Sequence, residues 1–282
     1  MKLAISNLAW PVSEDAGVVE LLNRLGVDSI DICPGKYFPV AAMATDLDIE
    51  RVAAWWRKRG IAITGMQALL FGTRGFNMFG SPEIQAAMLE HIESICRIGA
   101  GVGATRLVFG SPKNRDRFGL SDEETKTRSV NFFNRLGEIA ERWGEVICLE
   151  PNPVWYGANF MTTSRETAQV VRDVGHPSIR MQLDTGAMMI NHEAPESLVE
   201  EIAPLIGYIH ASEPDLVLLG EGEAYHDRVA SELRRYLPDH IVSIEMLPPK
   251  NEPCTSALER VLRYAIEHYG SMTQIDDSTG TG

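Results

Sequence analysis

The sequence predicts a single-domain (β/α)8 barrel, and three observations support that prediction. Short apolar runs alternate with amphipathic helical patterns along the chain, the order of elements that produces a parallel sheet. Eight strand-then-helix units fit into the length of about 250 residues that is usual for this barrel. An open doubly wound sheet is disfavoured, because no GxGxxG motif follows the first strand and polar residues stand at many strand ends.

The first half of the chain contains four of the predicted units. The expected strands cover residues 3–7, 28–32, 61–67 and 105–109. Gly26 and Gly60 follow the first two helical patterns, at the position where glycine commonly ends a helix. The connection over residues 68–81 is long and rich in phenylalanine and glycine, so we expect it to form a lid or a pocket wall.

The second half contains the other four units and a tail. Ser121 and Glu124 form a capping-box pattern that predicts the start of a helix ending near Trp143. Further strands are expected at residues 146–150, 179–184, 206–210 and 240–245, each followed by a helical pattern. Residues 271–282 are polar and contain glycine, so we expect a disordered tail after a barrel over residues 1–270.

The composition limits the classes of partner and location. The 282 residues are 44% hydrophobic, and 26 basic against 39 acidic residues give a formal net charge of −13. Nucleic acids and anionic membranes both require a cationic protein surface, so neither is expected as a partner. The cysteines are scattered without a CxxC pair, and no signal peptide or apolar membrane span is evident. These features predict a cytoplasmic protein with reduced thiols.

Four consecutive predicted strands end on residues that can bind a metal ion. Glu150, Asp184, His210 and Glu245 stand at the ends of the fifth to eighth strands. In a barrel all carboxyl ends of the strands meet at one face, so these side chains are expected to converge. Oxygen and imidazole ligands of this kind favour one divalent ion, with Mn²⁺ expected first and Mg²⁺ or Co²⁺ as alternatives.

Such an ion could bind the carbonyl and the neighbouring hydroxyl of a hydroxy ketone and stabilise the enediolate that forms after loss of a carbon-bound proton. Glu150 and Glu245 come from strands separated by two others, so they could approach the substrate carbon from opposite sides. One would remove the proton as general base, and the other would return a proton as general acid. Return to the opposite face is epimerisation, whereas return to the neighbouring carbon is aldose-ketose isomerisation.

The motifs that end these strands resemble the xylose isomerase-like barrel superfamily, in its sugar phosphate isomerase/epimerase branch. The resemblance covers about residues 3–269 and includes the ketose 3-epimerases and hydroxypyruvate isomerase. Its most specific marks are Leu149-Glu150, Leu183-Asp184-Thr185-Gly186, Ile209-His210 and Ser243-Ile244-Glu245. It implies that Glu150, Asp184, His210 and Glu245 bind the metal and that the two glutamates form the acid/base pair.

Two positions depart from the ketose 3-epimerase pattern. Ala187 stands where those enzymes have a substrate-contacting histidine, and Leu216 stands where an arginine is expected. We therefore expect that the proton-transfer machinery is kept while the substrate is not a simple free ketose.

Further residues in the predicted loops are candidates for substrate binding. They are Lys113, Arg115, Trp155, Glu213, Gln67 and Asn7. Lys113 and Arg115 could bind a phosphate, a carboxylate or hydroxyl groups, or could form a solvated turn with surface ion pairs. Trp155 could stack on a sugar or pack under its loop. His226 is predicted to be a surface residue early in a helix.

Three alternative functions compete with a sugar epimerase or isomerase. An abasic-site nuclease with three zinc ions is disfavoured by the charge and by Gln67, Phe109 and Ala187, which stand where extra ligands would be needed. A metal-dependent dehydratase of a keto-inositol would share the first proton abstraction, and only product analysis separates it from an epimerase. A non-catalytic sugar-binding barrel would not need both glutamates. A homodimer is possible.

Overall fold

The structure, a computed structural model, describes residues 1–222 and 225–270 and contains a closed barrel of eight parallel strands. Each strand pairs with its neighbours in sequence, and β1 closes the ring by pairing with β8. The strands are β1 (Lys2–Ser6), β2 (Ser29–Ile32), β3 (Ala62–Met66), β4 (Arg106–Phe109), β5 (Val146–Leu149), β6 (Ile179–Asp184), β7 (Ile206–Ser212) and β8 (Ile241–Glu245). The predicted fold class is confirmed.

Helices follow every strand and surround the ring. They are α1 (Asp15–Arg24), α2 (Pro34–Tyr37), α3 (Asp46–Arg57), α4 (Pro82–Val102), α5 (Asp122–Trp143), α6 (Ser164–Val174), α7 (Thr185–Ile190), α8 (Pro195–Ile202), α9 (His226–Tyr236) and α10 (Cys254–Tyr269). The predicted cap of α5 is present, since Ser121 and Glu124 exchange both hydrogen bonds of a capping box. The short helices α2 and α7 were not predicted, because each is too brief to show a helical period.

The strands alternate between a face toward the helices and a face toward the barrel axis. Phe109 of β4 packs edge-on against Phe133 of α5, with ring centroids 5.6 Å apart, so it faces outward. Its neighbour Val108 therefore faces inward, where it forms a separate buried cluster with Cys148 and Tyr208. This alternation also directs His210, two residues after Tyr208, into the ring.

Strand register brings the functional ends of the last three strands to the same level. Asp184 of β6 pairs with His210 of β7, and Ser212 of β7 pairs with Glu245 of β8. Glu150 follows β5 directly, and its N–H donates to the carbonyl of Phe109. The predicted convergence therefore follows from the pairing of neighbouring strands.

Other predictions from the sequence have mixed outcomes. The four cysteines are free and buried, as expected for reduced thiols. Within residues 1–222 and 225–270, the helices are too short or too polar to cross a membrane. The predicted tail over residues 271–282 lies outside the described residues. Residues 68–81 form a long connection that carries Phe71 with 82% of its surface exposed.

Candidate active site

Four potential metal ligands converge at the carboxyl end of the barrel. One ligand atom from each of Glu150, Asp184, His210 and Glu245 can be chosen so that all four atoms lie within 4.8 Å of one another. Asp184 and His210 are buried, whereas the two glutamates are partly exposed. The inner residues can hold an ion while the glutamates also reach a ligand in the cavity.

The imidazole of His210 is oriented toward the two glutamates. Its Nδ1 lies 3.1 Å from Oε2 of Glu245 and 3.7 Å from Oε1 of Glu150. No described lysine or arginine forms an ion pair with Glu150, Asp184 or Glu245 within 4.0 Å. An imidazole nitrogen and three carboxylates gathered in this way form a donor set that fits a divalent cation, which would balance their mutual repulsion.

The electrostatics of the cluster reflect this crowding. Burial, together with the negative charges of Glu150 and Glu245, raises the pKa of Asp184 to about 7. For His210, burial alone would lower the pKa, but Glu245, Asp31 and Glu150 outweigh it and raise the pKa well above 6.5. Without a cation, the cluster therefore holds protons that a bound ion would replace.

Neighbouring polar groups fix the carboxylates. Gln67 on the β3–α4 connection donates from Nε2 to Oε1 of Glu245 over 2.8 Å. Asn152 donates from Nδ2 to Oε2 of Glu150 over 3.1 Å. Asp184 accepts hydrogen bonds from Oγ of Ser212 and from the N–H of Ala187, at 2.8 and 2.6 Å. At least one oxygen of each of these three carboxylates is therefore fixed by a hydrogen bond before any substrate binds.

Asn152 and Ser212 were not identified from the sequence. Asn152 lies between two prolines just after Glu150, and Ser212 lies two residues after His210 on the same face of β7. The period of two along β7 was a usable signal for Ser212. No local signal identified Asn152, because the direction of its side chain depends on the neighbouring β4 loop.

Two cavities meet at the cluster. One, of about 220 Å³, extends from Glu150 and Glu245 toward the β3 and β4 loops and is lined by Gln67, Phe71 and Lys113 among others. The other, of about 370 Å³, extends toward the β5, β6 and β7 loops and is lined by Tyr156, Ala187 and Leu216 among others. Gly110, Glu150 and Glu245 line both cavities. Small ligands could therefore reach both glutamates at once.

The two cations after β4 have different surroundings. Lys113 is exposed and lines the smaller cavity. Arg115 is fully buried, and its guanidinium donates to the carbonyl oxygen of Glu150 and to Oδ1 of Asn152, over 2.7 and 2.6 Å. Arg115 lines neither of the two cavities. It instead connects the β4 loop to the segment that carries Glu150.

The β5 and β7 loops also contact each other. Trp155 is 74% exposed, and its indole N–H donates to Oδ1 of Asp215 over 3.3 Å. The hydroxyl of Tyr156 accepts from the N–H of Asp215 over 2.8 Å. Asp215 and Leu216 have positive φ angles of 58° and 53°, a conformation that costs free energy in residues other than glycine. The contacts from β5 help to hold that turn at the rim of the larger cavity.

Glu213 and Asn7 are both buried and are not solvent-exposed residues at the edge of the barrel. Glu213 is buried, lines the larger cavity and accepts from the N–H of Gly220 over 3.0 Å. Asn7 is buried, accepts from the N–H of Cys33 through Oδ1 and lines neither cavity.

The prediction that His226 is a surface residue is wrong. His226 is buried, with Nε2 at 3.1 Å from Oε1 of Glu213 and Nδ1 hydrogen-bonded to the hydroxyl of Tyr269. It precedes Val229 and Ala230 by three and four residues, so it shares the buried face of α9. That helical spacing was the signal that could have identified it.

Comparison with known proteins gives one family and several similar structures. The family model described as xylose isomerase-like TIM barrel matches residues 19–269. A D-psicose 3-epimerase of Agrobacterium fabrum is 25% identical over 107 residues, which are 38% of this chain and 37% of that protein. The aligned region therefore spans little more than a third of that relative.

Solved structures resemble the chain over nearly its whole length. A D-psicose 3-epimerase solved in the presence of D-fructose has a TM-score of 0.80 at 17% identity, covering 96% of this chain and all of that one. A 3-keto-D-glucoside 4-epimerase from E. coli has a TM-score of 0.77 at 18% identity, with coverages of 94% and 98%. The IolI protein with a bound zinc atom has a TM-score of 0.75 at 20% identity, with coverages of 95% and 98%. These similarities concern the fold.

Proposed function

The chain belongs to the xylose isomerase-like TIM barrel family, and from this premise we propose that it is a divalent-metal-dependent epimerase or isomerase of a keto sugar or a keto sugar derivative. The observation that carries the proposal is the cluster of Glu150, Asp184, His210 and Glu245, with both glutamates also lining the cavities. A site built only to hold an ion would not need two of its carboxylates open to a ligand.

Asp184 and His210 are the inner ligands in this proposal, and Glu150 and Glu245 complete the set. When bound by these residues, a divalent ion, Mn²⁺ by preference, would supply the Lewis acidity that makes the C–H bond next to the carbonyl of a hydroxy ketone more acidic. Mg²⁺ and Co²⁺ suit the same donor atoms.

The two glutamates serve as the acid/base pair. Each has one oxygen engaged by an amide, Glu245 by Gln67 and Glu150 by Asn152, so the carboxylate planes are held in place. One carboxylate removes the carbon-bound proton, and the other, protonated, returns a proton. Positioned groups of this kind typically contribute about 10²–10⁴-fold to the rate.

The residues that line the cavities favour a substrate that is larger than a free ketose or that carries fewer hydroxyl groups at one end. Ala187 and Leu216 line the larger cavity and leave it without donors at those two positions. Lys113 brings a positive charge to the smaller cavity, where we propose that it binds hydroxyl or anionic groups of the substrate. Trp155, Gln67 and Glu213 are proposed as further contacts, and Asn7 and Arg115 act from behind the cavity.

The names of similar proteins suggest which compounds to test. D-psicose and D-fructose represent free ketoses, and a 3-keto-D-glucoside represents a sugar with a substituent. We expect the Mn²⁺-loaded protein to convert the substituted keto sugar in preference to the free ketoses, because of Ala187 and Leu216.

Product analysis by chromatography and NMR tests the proposal and separates its alternatives. An epimer or an aldose-ketose isomer supports it, and loss of the activity on metal removal supports the role of the ion. A product lighter by one water would favour a dehydratase. Binding without turnover of every compound in the panel would favour a sugar-binding barrel.

A further inference from the structure

One buried acidic residue next to the cluster has no role in the scheme above. Asp31 lies on β2 and is fully buried inside the barrel. Its Oδ1 accepts a short hydrogen bond from the hydroxyl of Tyr208 and lies 3.4 Å from Oγ1 of Thr64. Its Oδ2 has no hydrogen-bond partner among the described residues and lies 3.7 Å from Nε2 of His210.

The His210 ring lies between Asp31 and the two glutamates of the cluster. Nδ1 faces Glu245 and Glu150, while Nε2 is buried, faces Asp31 and makes no hydrogen bond within the described residues. A neutral imidazole carries one N–H, and the other nitrogen has the lone pair that binds a metal. Without a cation, Nδ1 can donate to Oε2 of Glu245, but a cation bound among the carboxylates would need the lone pair of Nδ1, which leaves the N–H on Nε2 facing Asp31.

The backbone around Asp31 leaves room for this arrangement. A Cβ atom on Gly65 of β3 would come within 2.6 Å of Oδ1 of Asp31 and 3.0 Å of the Tyr208 hydroxyl. The β2–β3 register also shifts between Ile30 and Asp31, an irregularity that can redirect a side chain. The carboxylate therefore occupies a specific space behind the metal ligand.

We propose that Asp31 is a positioning residue for the metal site, which accepts the Nε2–H of His210 and thereby presents Nδ1 to the divalent cation. A hydrogen bond requires the 3.7 Å separation to shorten by less than about 1 Å. Metal-bound histidines commonly donate their second N–H to a carboxylate, and loss of that partner typically weakens metal binding about 10–100-fold. The inference rests on the metal site of the proposed function.

The first test measures Mn²⁺ affinity of the metal-depleted protein by isothermal titration calorimetry. Asp31→Asn keeps the size of the side chain and an acceptor for the hydroxyl of Tyr208. Its amide can, however, present an N–H to Nε2 of His210, which favours the tautomer with the proton on Nδ1, where the metal should bind. We expect the Mn²⁺ Kd to rise about 10–100-fold while the far-ultraviolet circular dichroism is unchanged.

Two controls separate positioning from a structural role. Tyr208→Phe removes a hydrogen bond to Asp31 but leaves the carboxylate facing His210, so its Kd should stay much closer to wild type. Glu145→Gln makes the same acid-to-amide change at another buried residue, outside the metal cluster, and should leave the Kd unchanged.

A second measurement needs no variant and covers the case in which Asp31→Asn does not fold. In protein labelled with ¹⁵N-histidine and loaded with diamagnetic Zn²⁺, the imidazole that responds to the metal should have a protonated Nε2 and an unprotonated, metal-bound Nδ1. The opposite assignment would overturn the inference, as would a wild-type Kd in folded Asp31→Asn. If wild type itself binds no Mn²⁺, the metal site of the proposed function fails instead.

Discussion

Glu150 interacts with the site through both its side chain and its backbone. It belongs to the candidate metal-binding cluster, its side chain accepts a hydrogen bond from Asn152, and its backbone carbonyl accepts one from Arg115. Glu245 has an equivalent amide partner in Gln67. The pair is thus held from the β5 loop on one side and from the β3 loop on the other.

Replacing either glutamate by glutamine should abolish most turnover. We expect Glu150→Gln and Glu245→Gln to lower kcat at least about 100-fold, because the amide cannot exchange a proton. Glu196→Gln, which alters an exposed ion pair with Arg228, is the matched control and should behave as wild type. Steady-state kinetics measure the turnover, and circular dichroism checks that each variant is folded. Normal turnover in either site variant would refute the acid/base assignment.

Gly110 offers a way to move the Glu150 carboxylate without changing it. A Cβ atom at Gly110 would come within 1.8 Å of Oε2 of Glu150, so Gly110→Ala must displace the flexible end of that side chain. We expect kcat/KM to fall about 100-fold, since small displacements of a reacting group are costly. At Gly35 a Cβ would meet no atom within 4 Å, so Gly35→Ala is the control. Equal kinetics for the two variants would show that the position of Glu150 does not matter.

At the scale of elements, Arg115 links the β4 loop to the β5 loop. Its guanidinium is fully buried and serves the Glu150 carbonyl and Asn152. Burial lowers the pKa of Arg115 to about 10, with Glu150 and Glu166 acting in the opposite direction, so the group stays charged at neutral pH. Two loops that carry site residues therefore depend on one buried cation.

Removing that cation should destabilise the protein. We expect Arg115→Ala to lower the free energy of unfolding by about 3 kcal/mol, because it leaves buried acceptors unsatisfied and opens a cavity. Arg228→Ala breaks an exposed pair with Glu196 and should cost less than about 1 kcal/mol. Urea denaturation compares the two, and similar losses would contradict the linking role of Arg115.

The sequence predicted the strand ends well and the loops poorly, for a physical reason. Glu150, Asp184, His210 and Glu245 could be located because the period of the strands and the closure of the barrel are enough to bring their ends together. The surroundings of Arg115 depend on contacts with a loop 35 residues away, which no local pattern encodes. Asp31 stands between two isoleucines of a predicted strand and could have been noticed as a buried charge. Its proximity to His210, however, is not indicated by any local pattern.

At the scale of the whole molecule, the proposed metal binding should be linked to stability through protons. Asp184 has a pKa raised to about 7 in the folded, metal-free protein, by burial and by Glu150 and Glu245, against 3.8 as the ordinary value. The folded state therefore keeps a proton that the unfolded chain loses between about pH 4 and 7, so this group's contribution to stability decreases as the pH rises. A bound cation needs the ionised form.

The increase in Tm produced by Mn²⁺ should therefore grow from pH 5 to pH 8. Thermal unfolding with and without the ion at each pH isolates this contribution, since groups remote from the site cancel in the difference. Asp184→Asn should remove most of the increase. An equal shift at every pH would mean that the cation does not displace protons from this cluster.

The central claim is that the two glutamates transfer a proton to and from a carbon atom of the substrate. The most direct measurement follows the conversion, in deuterated water, of whichever compound of the keto sugar panel the Mn²⁺-loaded protein turns over fastest. Mass spectrometry and NMR should find solvent deuterium at the carbon whose configuration or oxidation level changes, and Glu150→Gln and Glu245→Gln should not form the labelled product. Conversion of that compound by the wild-type protein with no deuterium in the product would contradict the account.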